Sequence, residues 1–229
     1  MSFIEKLVGV VTVPREAFER IEEGDLRRGI LLILVISLLS AWAGATYFSK
    51  TEIDLSTLSS RAGPGGQSFF DRGGSTQTPD LETIRAQLTP MVAVVNALAA
   101  FTRWLTPSIL LVIIAKILAG EGGAKRLLAM TAFASLPLLL QQVLRVIDSM
   151  FITSAELKLL AATGLSGTGL VDRFLMQGLR VLNLFGIATL ALTVLAMREN
   201  YGTSMGKASQ VALIAYAGYI LVRTFIPFL

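Results

Sequence analysis

The stretch GILLILVISLLSAWAGATYF, residues 29–48, runs for twenty residues without a charge. A helix of that length rises about 30 Å, the thickness of the hydrocarbon layer of a bilayer. Further apolar blocks follow at residues 90–120, 125–151, 175–197 and 207–229. None shows the strict alternation of a barrel strand. Backbone polar groups in lipid must be satisfied within the segment, so these blocks are read as helices. The expected fold is all-α: a polytopic membrane protein, a bundle of five transmembrane helices over 29–229, with an amphipathic helical segment at 1–28. A polar loop, 49–88, separates the first two spans, and Thr78-Pro79-Asp80-Leu81-Glu82 within it reads as a helix start.

Composition narrows the chemistry. The chain is 53% hydrophobic and 16% charged, whereas a soluble domain carries about a quarter charged residues. That excludes a soluble globular protein. The chain has no cysteine and no histidine, which removes thiol nucleophiles, thiolate or imidazole metal sites and histidine-based triads. Asp148 is the sole acid within the expected spans. No nucleophile–base set can be assembled around it, so neither an enzyme nor a cofactor nor a metal site is expected. The formal charge of +4 is too modest to imply nucleic acid, and no internal repeat supports an inverted-repeat transporter.

Prolines and small residues set expectations for the bundle. Pro107 is expected to kink the long second block, unless the block overruns the membrane, and Pro137 interrupts the third. Ala41 and Ala45, and likewise Ala208, Ala212 and Ala215, have spacings that let helices approach closely.

The N-terminal segment has its own pattern. Phe3, Ile4, Leu7, Val8 and Val11 recur at helical spacing, Phe18 and Ile21 repeat it, and Pro14 is expected to open a short helix ending at Gly24. Two arrangements fit. The segment can lie on the cytoplasmic membrane surface, with Phe3, Leu7, Phe18 and Ile21 in the lipid boundary and Arg27 and Arg28 near anionic head groups. It can equally pack under the bundle as a plug. Either arrangement offers a docking place for a protein partner.

Orientation follows from the flanking cations. The 20 lysines and arginines divide into ten on each side, a tie. The N-terminal ones are dense and Arg27-Arg28 abuts the first span, whereas several opposite ones fall in the long loop, where the positive-inside rule is weak. A cytoplasmic N-terminus and an outer C-terminus in a prokaryotic cell membrane are therefore expected. Arg103, Arg145, Arg180 and Arg223 then fall at one level in the outer half, with Asp148 beside Arg145. A charge within the membrane is a functional candidate by default. One reading is an outward-facing cationic pocket for a phosphate or carboxylate, such as an anionic lipid head group, because the guanidinium fork suits phosphate. Gln141, Gln142 and Asn183 would add hydrogen bonds. The other reading has each arginine snorkelling to the interface, with Arg145 and Asp148 an ordinary i, i+3 pair.

Three stretches together carry a family resemblance. They are Pro14-Arg15-Glu16-Ala17-Phe18-Glu19-Arg20-Ile21 with Arg28-Gly29-Ile30-Leu31; Gly120-Glu121-Gly122-Gly123 leading to Ala132-Phe133-Ala134-Ser135-Leu136-Pro137; and Tyr201-Gly202-Thr203-Ser204 before Lys207-Ala208. In order and spacing the chain resembles the Yip (Ypt/Rab-interacting protein) integral membrane family in its bacterial or archaeal form. The resemblance implies five spans and a cytoplasmic N-terminus. Eukaryotic relatives act in vesicle traffic, bind prenylated Rab-type GTPases and shape membranes. The leading expectation is a non-enzymatic membrane scaffold or adaptor in contact with lipids, with oligomerisation open. The alternative is a small transporter or lipid-handling protein that uses the outer arginines.

Overall fold

The computed structural model describes residues 2–51, 81–120, 122–153 and 170–225. These form helices, with no strand among the described residues. Ser2 starts α1 (Phe3–Thr12) with a capping box: its hydroxyl accepts from the Glu5 amide, and the Glu5 carboxylate accepts from the Ser2 amide. Pro14 opens α2 (Pro14–Glu19), where its missing N–H costs nothing. α2 ends at Glu19, short of Gly24, and beside its end the carbonyls of Phe18, Glu19 and Ile21 accept from the Arg126 guanidinium. A 3-10 turn (Glu23–Asp25) leads into α3 (Leu26–Lys50). Then come α4 (Leu81–Leu118), α5 (Ala124–Ala134), α6 (Leu136–Phe151), α7 (Leu170–Val181), α8 (Leu184–Tyr201) and α9 (Met205–Phe225).

Among the described residues, four stretches are long and apolar enough to cross a membrane: Glu23–Lys50, Arg85–Leu118, Ala124–Phe151 and Met205–Phe225. The long α4, 38 residues, rises about 57 Å and so overruns the hydrocarbon layer, with Pro107 inside it. Pro107 has no N–H, so the Arg103 carbonyl four residues earlier lacks its intrahelical donor. Pro137 lies in the first turn of α6, just after the break at Ser135. The block 175–197, read from sequence as one span, is two helices. Asn183 caps α8 by accepting from the Gly186 amide at 2.9 Å. The Val181 carbonyl lies so close to Gly186 that a Cβ there would sit 1.7 Å from its oxygen. The expected helix start around Thr78 lies partly outside the described residues, as do most of the polar loop 49–88 and the loop before α7.

Packing radiates from α3, which lies against α4, α5 and α6. Its buried face is narrow and made partly of small residues: Gly29, Ile33, Ile36, Ser37, Ser40, Ala43 and Gly44. Ala41 and Ala45 are only half-buried. A Cβ on Gly29 would lie 2.8 Å from the Ala132 Cβ, so the two backbones approach more closely than side chains allow. Close approach is the main source of helix association in lipid, where apolar burial gives no net drive. Ala208, Ala212 and Ala215 do the same for α9 and are fully buried. The opposite faces carry Leu38, Trp42, Ile117 and Leu184, all largely exposed, which suits a hydrocarbon surround and would be costly in water.

Hydrogen bonds add a second tie. The Thr131 hydroxyl accepts from Trp104 Nε1 at 3.3 Å and from the Ser108 hydroxyl at 2.9 Å, and donates to the Leu128 carbonyl. Each such interhelical bond in a membrane protein contributes about 0.6 kcal/mol.

Replacing Gly29 with leucine is expected to cost about 1–3 kcal/mol through overpacking and to lower the melting midpoint in detergent by several degrees. Gly24→Leu, where a Cβ meets nothing within 4 Å, is the control and is expected to stay near wild type. Equal midpoints for the two variants contradict the close α3–α5 contact.

Candidate functional site

Two regions concentrate polar chemistry, one at each end of the bundle. At the N-terminal end, α1 and α2 are seated against α5 and α8. Val10, Ala17, Phe18 and Ile21 share a fully buried core with Ala129, Met130, Phe133, Ala134 and Ala196. Phe3 meets Phe133 edge-on, with centroids 5.9 Å apart. Ionic contacts hold the segment at three places. The Lys6 ammonium pairs with the Asp25 carboxylate, their side chains only 8% and 6% exposed. Asp25 also accepts from Arg28 at 3.0 Å and from the Glu22 amide at 3.1 Å. Arg126 donates to the Ile21, Glu19 and Phe18 carbonyls at 2.9, 3.1 and 3.5 Å. Arg15 reaches Glu199 of α8 at 3.4 Å.

Of the residues assigned here from sequence, Phe18 and Ile21 are fully buried in the bundle, and Phe3 and Leu7 are half-buried against its core. Arg27 and Arg28 are exposed, Arg28 with its end on Asp25. A different apolar face of α1 stays open: Ile4, Val8 and Val11 are 70%, 55% and 67% exposed. Together with Gly9, Val13 and Ala17 of the α1–α2 bend, Ile4 and Val8 line a groove of about 380 Å³, with Glu5, Glu16 and Arg20 among its polar residues.

At the other end stand the intramembrane arginines. Arg103 Nη1 of α4 donates to Gln141 Oε1 of α6 at 3.3 Å. It lies beside Tyr216 and Tyr219 of α9, and the charges of Arg223 and Arg145 act on it. Arg223 Nη1 reaches the Tyr219 hydroxyl at 3.5 Å. Arg145 donates to Gln142 at 3.4 Å, and its guanidinium lies 6.0 Å from the centre of the Tyr47 ring. Asp148 accepts from the Tyr47 hydroxyl, which ties α3 to α6. Arg180 is exposed in the last turn of α7 and is not among the charges acting on Arg103. Asn183 is taken up by the α8 cap. The structure thus brings Arg103, Arg145 and Arg223 into one neighbourhood and leaves Arg180 on the surface.

This neighbourhood is short of negative charge. Among the described residues, none of Arg103, Arg145 and Arg223 has a carboxylate within 4 Å. Arg103 Nη2 and Arg223 Nε are buried without a hydrogen-bond partner. Two small cavities touch Arg103. One, about 20 Å³, is lined by Ser108, Thr131, Ser135, Thr189, Thr193 and Tyr216 among others. The other, about 10 Å³, has Gly186, Tyr216 and Tyr219 in its wall.

The buried ion pair at the opposite end gives a direct check. Asp25→Ala leaves the Lys6 ammonium buried and unpaired, which is expected to cost about 3–5 kcal/mol of stability. Joint replacement, Lys6→Met with Asp25→Leu, is expected to recover most of it. A single variant as stable as wild type in thermal unfolding contradicts a buried pair.

Comparison with curated proteins and with solved structures gives no match. A family model described as the Yip1 domain matches residues 8–225, from within α1 to the end of α9. The match takes in the seated N-terminal helices as well as the apolar helices that cross the membrane. The chain is therefore an integral membrane protein belonging to the Yip1-domain family.

Proposed function

We propose that this protein is a non-enzymatic membrane scaffold or adaptor, serving membrane organisation or a trafficking-like process through its N-terminal segment. The observation that carries this reading is the fixed seating of α1. Lys6–Asp25 and the packing of Phe3, Leu7 and Val10 on the core hold one face of α1, while Ile4, Val8 and Val11 stay open on the other. A face that is already rigid loses little conformational entropy when a partner binds. The proposed setting is a prokaryotic cell membrane with this segment in the cytoplasm. α7 and α8 together would make the crossing that brings the total to five, fourth in the order α3, α4, α5–α6, α7–α8, α9, which places the C-terminal end at the outer face.

A second reading, a lipid-handling protein or small transporter, has its own support. Buried nitrogens of Arg103 and Arg223 lack partners, and no carboxylate lies within 4 Å of either arginine among the described residues. A desolvated guanidinium in that state favours an anion.

Two measurements test these readings. A photo-crosslinking residue at Val8 is expected to form adducts with a protein of discrete mass in intact membranes, whereas one at Leu38 gives lipid adducts. Lipid adducts at both positions contradict the docking role of α1. The natural absence of cysteine makes single-cysteine labelling clean. Ser2→Cys is expected to react with an impermeant thiol reagent only after the membrane is opened, and reaction in intact cells reverses the orientation.

A further inference from the structure

On the flank of the bundle, α7, α8 and α9 enclose a groove of about 380 Å³, within the size range of small-molecule sites. Its walls include Leu175, Leu179, Leu182, Leu190, Leu213 and Ile220, and its surface is almost wholly apolar. Tyr216 forms part of this groove and also lines both cavities beside Arg103. The groove thus adjoins the arginine neighbourhood, with Tyr216 as the shared wall. Arg223 stands three residues beyond Ile220 on α9, about 4.5 Å further along the helix, and its buried Nε has no partner among the described residues.

The inner cavities do not suit an anion. At about 20 and 10 Å³ they hold one or two waters at most. The hydroxyls of Thr131, Ser135, Thr189 and Thr193 already donate to backbone carbonyls. Ser135, Thr189 and Thr193 are left with lone pairs for the space, which fits water accepting from Arg103 and repels a negative ion. An anionic group therefore has its place at the rim, by Arg223, with any apolar body lying along the groove. An inorganic anion would leave the groove unfilled.

We propose that the α7–α9 groove seats a hydrocarbon chain of an anionic lipid whose head group is held by Arg223, with Arg103 and Arg145 adding positive field behind it. This rests on the reading of the arginines as an anion site.

The test is native mass spectrometry of the full-length protein in detergent with added phosphatidylglycerol, phosphatidylcholine of the same chains, or glycerol phosphate. Wild type is expected to retain phosphatidylglycerol about tenfold better than phosphatidylcholine and to retain no glycerol phosphate. Arg223→Gln is expected to abolish that preference. Gly178 lines the groove and a Cβ there meets nothing within 4 Å, so Gly178→Phe fills the space from its open side. It is expected to cut phosphatidylglycerol retention at least fivefold. Leu179→Trp, at a side chain 70% exposed, makes the same test if the first variant misfolds. Retention unchanged in the groove variants but lost in Arg223→Gln, or glycerol phosphate bound as well as whole lipid, overturns the chain seat and leaves the anion site standing. Equal retention of the two lipids by wild type and Arg223→Gln overturns both.

Discussion

In hydrocarbon, helices gain nothing by hiding leucine from lipid, so the bundle depends on how closely backbones can approach. The contacts of Gly29 with Ala132 and of Gly44 with Asn96 are places where that constraint bears. The first brings α3 onto α5, and α5 is the element on which the N-terminal helices converge. One side of α5 meets α3. Thr131 ties it to Trp104 and Ser108 of α4. Ala129, Met130, Phe133 and Ala134 carry Phe18 and Ile21, and Arg126 fastens the carbonyls that leave α2. The N-terminal helices are thus an extension of the α3–α5 contact. Their seating is a consequence of the membrane bundle being assembled.

The two ends of the bundle treat charge in opposite ways. At the N-terminal end the buried charge is closed: Lys6 meets Asp25, and Asp25 takes two further donors. Such a site is satisfied and specifies geometry. At the other end Arg103, Arg145 and Arg223 find amide oxygens, a phenol ring and a phenol hydroxyl, and no carboxylate within 4 Å among the described residues. A satisfied buried pair has little left to offer a ligand, whereas an unsatisfied guanidinium keeps donors in reserve. That contrast supports the proposed reading, in which the first end is structural and the second takes the ligand.

How much of this the sequence revealed follows from what periodicity carries. The uncharged run at 29–48 marks a membrane helix because length and apolarity are one-dimensional properties. The break in the block 175–197 is signalled only weakly, by Asn183 and Gly186 at capping distance, and it vanishes in an averaged hydropathy. Rotation was not legible: Arg180, expected at one level with the other arginines, is exposed on α7. α1 shows the same limit. Phe3, Leu7 and Val10 form one apolar stripe and Ile4, Val8 and Val11 another at the same spacing, so the pattern could not say which one packs. The choice is made by Lys6, whose partner lies nineteen residues away, a pairing no local window contains. In the same way, Gly29 reads as an ordinary membrane glycine until Ala132 is placed against it.

The central claim is that α1 and α2 are a fixed part of the bundle and present Ile4, Val8 and Val11 from a rigid base. Hydrogen–deuterium exchange of the protein in lipid nanodiscs tests it most directly. The account predicts that amides of residues 7–12 and 18–21 exchange as slowly as those of α5, since they share one core. Exchange of these amides within seconds, as in a freely fraying surface helix, while α5 stays protected would contradict it.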